Sequence, residues 1–180
     1  MESEHIILAI ISIIGGTAVL GSYVLGVRNH PDTRGQTWGG VPAGLKPFYI
    51  VSMLTAAAGY LAFAYFVFFE AEPDVVELFG SSSYWLFYLI CAGILLPSAM
   101  WMPLTFSMLE QPSRAKWISI RIVLGIVGIV SLALLAALIT LEPREPAAAY
   151  WASVVGIVFF CIQTAFLDAL VWPIYFPIKR

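Results

Sequence analysis

Residues 117–141 read WISIRIVLGIVGIVSLALLAALITL. Beyond Arg121, near its start, the stretch carries no charge. Wound as an α-helix at 1.5 Å per residue, it is long enough to cross the ~30 Å hydrocarbon core of a bilayer. Four further runs share its character: Ile6–Val27, Pro47–Phe69, Tyr84–Met108 and Ala147–Ile178. The 180-residue chain is 61% hydrophobic and 11% charged, and its mean hydropathy is +0.90. A soluble domain of this size cannot hide so much apolar surface, so the lipid bilayer is the expected solvent. Helices satisfy their own backbone hydrogen bonds, as lipid requires. The expected fold class is an all-α integral membrane protein, a single five-transmembrane-helix bundle over residues 1–180.

The charges between the runs set an orientation. Eight of the nine Lys and Arg residues fall on one side: Arg28, Arg34, Lys46, Arg114, Lys116, Arg121, Lys179 and Arg180. Only Arg144 falls on the other, with Glu2, Glu4, Glu70, Glu72, Asp74, Glu77, Glu142 and Glu145. Basic loops translocate poorly, which implies an N-out, C-in topology with a cytoplasmic C-terminus. A plasma, inner or organellar membrane fits, because an outer membrane ordinarily demands a barrel. The first run follows acidic residues and lacks a small-residue cleavage pattern, so it reads as a retained helix. Nucleic-acid binding is not expected, since membrane orientation already accounts for the few basic residues.

The connections differ in kind. Arg28–Lys46 (RNHPDTRGQTWGGVPAGLK) is loop-like, and Trp38 within it is placed to anchor at the interface. Glu70–Ser83 contains VVELF, which reads as one short amphipathic turn. EQPSRAK and EPREP are tight, so the last three helices form an up-down series. Small residues mark helix contacts: Gly15, Gly16 and Ala18, then Gly21, Ser22 and Gly26, then Ala56–Gly59, then Gly125 and Gly128. They serve packing within the chain or a homodimer seam. The third and fifth runs end alike, SAMWMPLTF (98–106) and DALVWPIYF (168–176). Shared interface chemistry explains the echo more simply than duplication.

Asp168 is the one acid inside a run. On a straight helix it lies about 16 Å from Lys179 and so deep in the membrane. An ionisable residue there is costly and marks a candidate site. Thr164, Asp168 and Trp172, four apart, share one α-helical face. Arg121 is the candidate partner, or it snorkels to the headgroups. A structural contact, a ligand or proton role and a lipid-facing acid are the three readings of Asp168. In the third run Ser98, Trp101 and Thr105 share a face beside Pro97, whose kink is expected to open a cavity. Trp101 and Trp172 then either wall a pocket for a flat apolar ligand or pack as ordinary aromatics. Cys91 and Cys161 read as small hydrophobes or, less simply, a disulfide or metal pair. With only His5 and His30, both outside the runs, no bis-histidine haem, zinc or di-iron set is expected. No lysine lies mid-run and no phosphate loop or Ser-His-Asp set is visible, so no catalytic residue is assigned.

The runs, the length and the tryptophans together resemble the translocator protein family, the tryptophan-rich sensory proteins. Leu45-Lys46-Pro47 looks like the entry to that family's second helix, and Ala58-Gly59-Tyr60 like a motif within it. Ser98-Ala-Met-Trp101-Met-Pro103-Leu-Thr-Phe106 resembles its N-x-x-W-x-P-x-F-F, and Trp117-Ile-Ser-Ile-Arg121 its W-x-L-x-D. Leu167-Asp168 with Val171-Trp172 resembles its L-N-x-x-x-W. The chain departs from the pattern at the tandem prolines and tryptophans of the second helix, and at Ser98, Arg121 and Asp168. The resemblance implies a pocket closed by the first loop that takes a porphyrin-like or sterol-like ligand.

The function expected from these residues is non-enzymatic binding of a flat hydrophobic small molecule, sensed or translocated. Trp38, Tyr60, Ser98, Trp101, Arg121, Thr164, Asp168 and Trp172 are the candidate ligand-binding residues, with the aromatics supplying burial and the charges orientation. Two rivals are a structural accessory subunit of a larger membrane complex and a small proton-coupled transporter that uses Asp168, the latter as a homodimer.

Overall fold

The computed structural model describes residues Ser3–Phe176. Five helices are long and apolar enough to cross a membrane. They are α1 (Ser3–Asn29), α2 (Lys46–Phe69), α3 (Leu86–Glu110), α4 (Arg114–Thr140) and a composite fifth. The fifth begins as α5 (Ala147–Cys161), continues as a π-helix (Ile162–Val171) and ends in the short α6 (Trp172–Tyr175). Short 3₁₀ turns at Arg34–Trp38 and Ala43–Leu45 organise the first loop. Helix starts follow local chemistry: Ser113 accepts from the Lys116 amide at 3.2 Å, and Pro47 occupies the first turn of α2, where its missing N–H is not needed.

Helix α1 lies on α3, α3 on α4, α4 on α5 and the π-helix, and α2 on α5. The tight connections thus join spatial neighbours from α3 to α5. The α2–α5 contact is the closest. A Cβ on Gly156 would sit 2.6 Å from the Gly59 Cα, so the two backbones touch where neither residue has a side chain. In lipid this approach is the source of packing energy, because the solvent gives no hydrophobic preference for helix over lipid. Gly15 and Gly26 likewise admit Leu95 and Phe106 of α3. Gly16, Gly21 and Gly125, expected at helix contacts, have nothing within 4 Å. Among the described residues none packs against these three positions.

Two clusters form the interior. One, toward the acidic loops, includes Phe63, Phe66, Phe87, Leu134, Leu138 and Tyr150. The other, toward the basic loops, joins Val41, Tyr49, Ile120, Leu124, Trp172 and Phe176. Helix α3 runs through Pro97 and Pro103 without a break in the helix.

The acidic connection corrects an expectation. VVELF does not form an amphipathic turn. Glu77–Leu78 pairs with Ser81–Ser82 as a two-stranded hairpin, and Glu77 exchanges backbone bonds of 2.8 and 3.0 Å with Glu142. The bend needs Phe79 (φ 54°) and Gly80 (φ 75°), the left-handed pair of a two-residue hairpin loop. Glycine adopts this freely, whereas a bulky side chain meets steric strain. The hairpin holds because Leu78 is fully buried and tied to the core. Replacing the exposed Phe79 with Asn creates the preferred Asn-Gly pair and is expected to stabilise the protein by about 1 kcal/mol. Thermal unfolding of the detergent-solubilised variant checks this; a lower midpoint would contradict it.

Candidate functional site

The first loop folds under the basic end of the bundle and is fastened to the end of the fifth helix. Trp172 Nε1 donates to the Thr37 carbonyl at 3.1 Å, and the Gly40 amide donates to the Tyr175 carbonyl at 2.6 Å. Trp117 Nε1 donates to the Phe176 carbonyl at 3.1 Å. Trp38 meets Tyr49 edge to face at 6.1 Å, with Lys46 Nζ 6.0 Å from the Trp38 ring. A second tether joins His30 Nδ1 to Glu110 Oε1 at 2.7 Å, with the His30 ring stacked on Phe106 at 4.5 Å. Gly39 has φ 57°, and a Cβ there would strike Phe176 at 3.0 Å, so glycine permits the crossing.

Above this floor sits an aromatic chain. Tyr23 of α1 contacts Trp101 of α3 at 5.7 Å, Trp101 contacts Trp172 edge to face at 5.8 Å, and Trp172 stacks on Phe176 at 4.4 Å. The Trp101 and Trp172 rings therefore meet directly. The pairing expected from the two runs is present as packed aromatics, not as facing walls across a gap.

Asp168 lies in the π-helix and is half-buried. Its carboxylate accepts from Gln163 Nε2 at 2.8 Å. These residues are five apart. On an α-helix they point to different sides, whereas i→i+5 bonding widens the turn and brings them round together. The π geometry thus replaces the straight α-helical face expected for Thr164, Asp168 and Trp172. It also creates the Gln163–Asp168 pair, which the expectation missed. A glutamine five before an aspartate in an apolar run was the available signal. Gly128 of α4 faces this segment, and a Cβ there would come within 3.0 Å of the Ala165 Cα.

The other expected site residues separate. Arg121 does not pair with Asp168: it is exposed, and its guanidinium lies 4.9 Å from the Trp117 ring centre. An exposed guanidinium over an indole avoids the desolvation that a buried pair would impose. Among the described residues Asp168 has no ion-pair partner. Thr164 turns to α4, its one hydroxyl proton shared between two acceptors, Ser131 Oγ and the Phe160 carbonyl, each at 2.8 Å. Ser98 is used locally, bonding the Ile94 carbonyl at 2.7 Å. Tyr60 belongs to the other interior cluster, packed on Phe63 and Phe160 at 5.7 and 5.5 Å. Cys91 and Cys161 are buried free thiols, and Cys161 donates to the Ser131 carbonyl at 3.2 Å. No group of three His, Cys, Asp or Glu able to hold a metal occurs among the described residues.

What remains together is Trp38, Trp101, Asp168 and Trp172, joined by Tyr23, Tyr49 and Gln163. Tyr49 Oη donates to the carbonyl of Leu167, the residue before Asp168, at 3.4 Å. Three buried polar atoms on the elements that meet here, Trp101 Nε1, Thr105 Oγ1 and Gln163 Oε1, have no hydrogen-bond partner among the described residues. Thr105 is one α-helical turn from Trp101, on the same face. Searches of family models, curated proteins and solved structures return no match to this chain.

Proposed function

We propose that this chain is a five-helix integral membrane protein, N-out and C-in, of the kind the translocator protein family typifies. Its function is to bind a flat hydrophobic molecule, porphyrin-like or sterol-like, at the basic end of the bundle. The observation that carries the reading is the set of unpartnered polar atoms, Trp101 Nε1, Thr105 Oγ1 and Gln163 Oε1, beside an aromatic chain and an acid without a cation. Buried polar groups are ordinarily satisfied, so the open atoms of Trp101, Thr105 and Gln163 suit a ligand or ordered water. The Trp101 and Trp172 rings would part to admit the ligand, and the aromatic surfaces would supply stacking and burial. Gln163 and Asp168 would fix its polar edge. The first loop, held by Trp172 and Gly40, is the gate.

The test is a titration of the protein in mild detergent with protoporphyrin IX, followed by Trp fluorescence. Saturable quenching in the micromolar range is expected. Trp101→Ala and Asp168→Asn are each expected to weaken binding about tenfold or more, the loss of one aromatic face or one charge-assisted hydrogen bond. Quenching that is absent, or identical in all three proteins, contradicts the porphyrin reading. It would favour an accessory subunit, and the next measurement would be what co-purifies.

A further inference from the structure

On the outside of α1, next to the Tyr23 end of the aromatic chain, a shallow open groove of about 630 Å³ is lined by Tyr23, Val24, Val27, Arg28, Pro31 and Arg34. Its composition changes along its length. Val24 and Val27 are exposed aliphatic residues in the last turns of an apolar helix. Arg28 lies in the last turn of that helix and Arg34 opens the first 3₁₀ turn, so two arginines line the groove beside the valines. Neither forms an ion pair among the described residues. The acid at the end of α3, Glu110, is taken by His30 at 2.7 Å, and Asp32, between the arginines, makes no ion pair among the described residues. An apolar wall beside two guanidiniums that make no ion pair among the described residues is complementary to an acyl chain that ends in a phosphate. Guanidinium forks bind phosphate oxygens in matched geometry.

We propose that this groove is a binding site for one anionic phospholipid, its phosphate held by Arg28 and Arg34 and its first methylenes lying on Val24 and Val27. The charge complementarity selects this occupant. The zwitterionic lipids share its chains and lack the net negative headgroup, and inorganic phosphate shares its anion and lacks the chains. The site is separate from the Trp101–Asp168 region and does not depend on a ligand binding there. Tyr23 links the two, because its ring lines the groove and also touches Trp101. An occupied groove would therefore support one wall of the inner aromatic chain.

Native mass spectrometry of the protein equilibrated with equal amounts of dioleoylphosphatidylglycerol and dioleoylphosphatidylcholine tests this. The wild type is expected to retain one phosphatidylglycerol with about a tenfold preference. Arg28→Gln/Arg34→Gln is expected to bring the preference near unity. Val24→Trp, which fills the groove with both arginines intact, should do the same if the double variant fails to fold. Arg114→Gln/Arg121→Gln removes equal charge from the same end and should keep the preference. The proposal is overturned if Arg28→Gln/Arg34→Gln or Val24→Trp retains the wild-type ratio, or if the Arg114/Arg121 variant loses it equally. Displacement of the retained lipid by excess inorganic phosphate also overturns it, in favour of a free-anion site.

Discussion

Replacing Gly156 with leucine is expected to destabilise the protein by about 3 kcal/mol or more. The new side chain has nowhere to go. Even a methyl group at Gly156 would lie 2.6 Å from the Gly59 Cα and 2.8 Å from its carbonyl oxygen. Backbone atoms cannot rotate away as a side-chain tip can, so α2 must separate from α5 along its length. Lipid then replaces the lost contacts without penalty for exposing apolar surface, which leaves no hydrophobic force to close the gap. The two buried thiols provide a readout. Cys91 and Cys161 are 1% and 7% exposed, so a thiol-reactive fluorogenic dye reports unfolding directly. The labelling midpoint on heating should fall sharply for Gly156→Leu and less for Gly156→Ala. A Gly156→Leu protein with the wild-type midpoint would refute the α2–α5 contact.

The second large effect is expected at Trp172. Its indole stacks on Phe176 at 4.4 Å, meets Trp101 at 5.8 Å and donates to the Thr37 carbonyl at 3.1 Å. Truncating a buried Trp to Ala typically costs about 3–5 kcal/mol. Here the damage should be local, because the acidic-end cluster does not include Trp172. Trp172→Ala removes the main tether of the first loop, so trypsin should cut after Arg34 at least about tenfold faster, the hallmark of a segment whose opening free energy has dropped. Trp172→Phe keeps an aromatic ring and loses the donated hydrogen bond, and should fall between. Cleavage at an unchanged rate in Trp172→Ala would mean that Gly40 and His30 hold the loop without it.

The five helices were legible because length and composition alone demand them. The distribution of charge on the loops was equally plain, whereas Trp38 and the glycines and prolines around it read only as a loop with an interface anchor; closure by that loop was implied by the family resemblance. Local geometry was not legible. VVELF has the apolar spacing of a helical turn, and only the positive φ of Phe79 and Gly80 converts it to a hairpin. The π-helix uses residues that would serve an α-helix equally well, so the Gln163–Asp168 pair stayed hidden although both residues were in view. Gly59 stood out among small residues, but its partner Gly156 lies in an ordinary apolar run, and a pairing between distant glycines leaves no periodic trace. Arg121 and Asp168 looked like a pair because opposite charges in one membrane invite it. An exposed position gives arginine an easier solution, a cation–π contact with Trp117 four residues earlier.

Hydrogen–deuterium exchange with and without protoporphyrin IX tests the central claim most directly, because it reports where a ligand acts. Binding at the basic end should slow exchange in peptides covering residues 34–45 and 162–176, the loop and the helix end that close over Trp101 and Asp168. Exchange around the hairpin at residues 76–83 should stay the same. Protection confined to that hairpin, or no protection anywhere at saturating porphyrin, would contradict a ligand site between Trp101, Asp168 and Trp172.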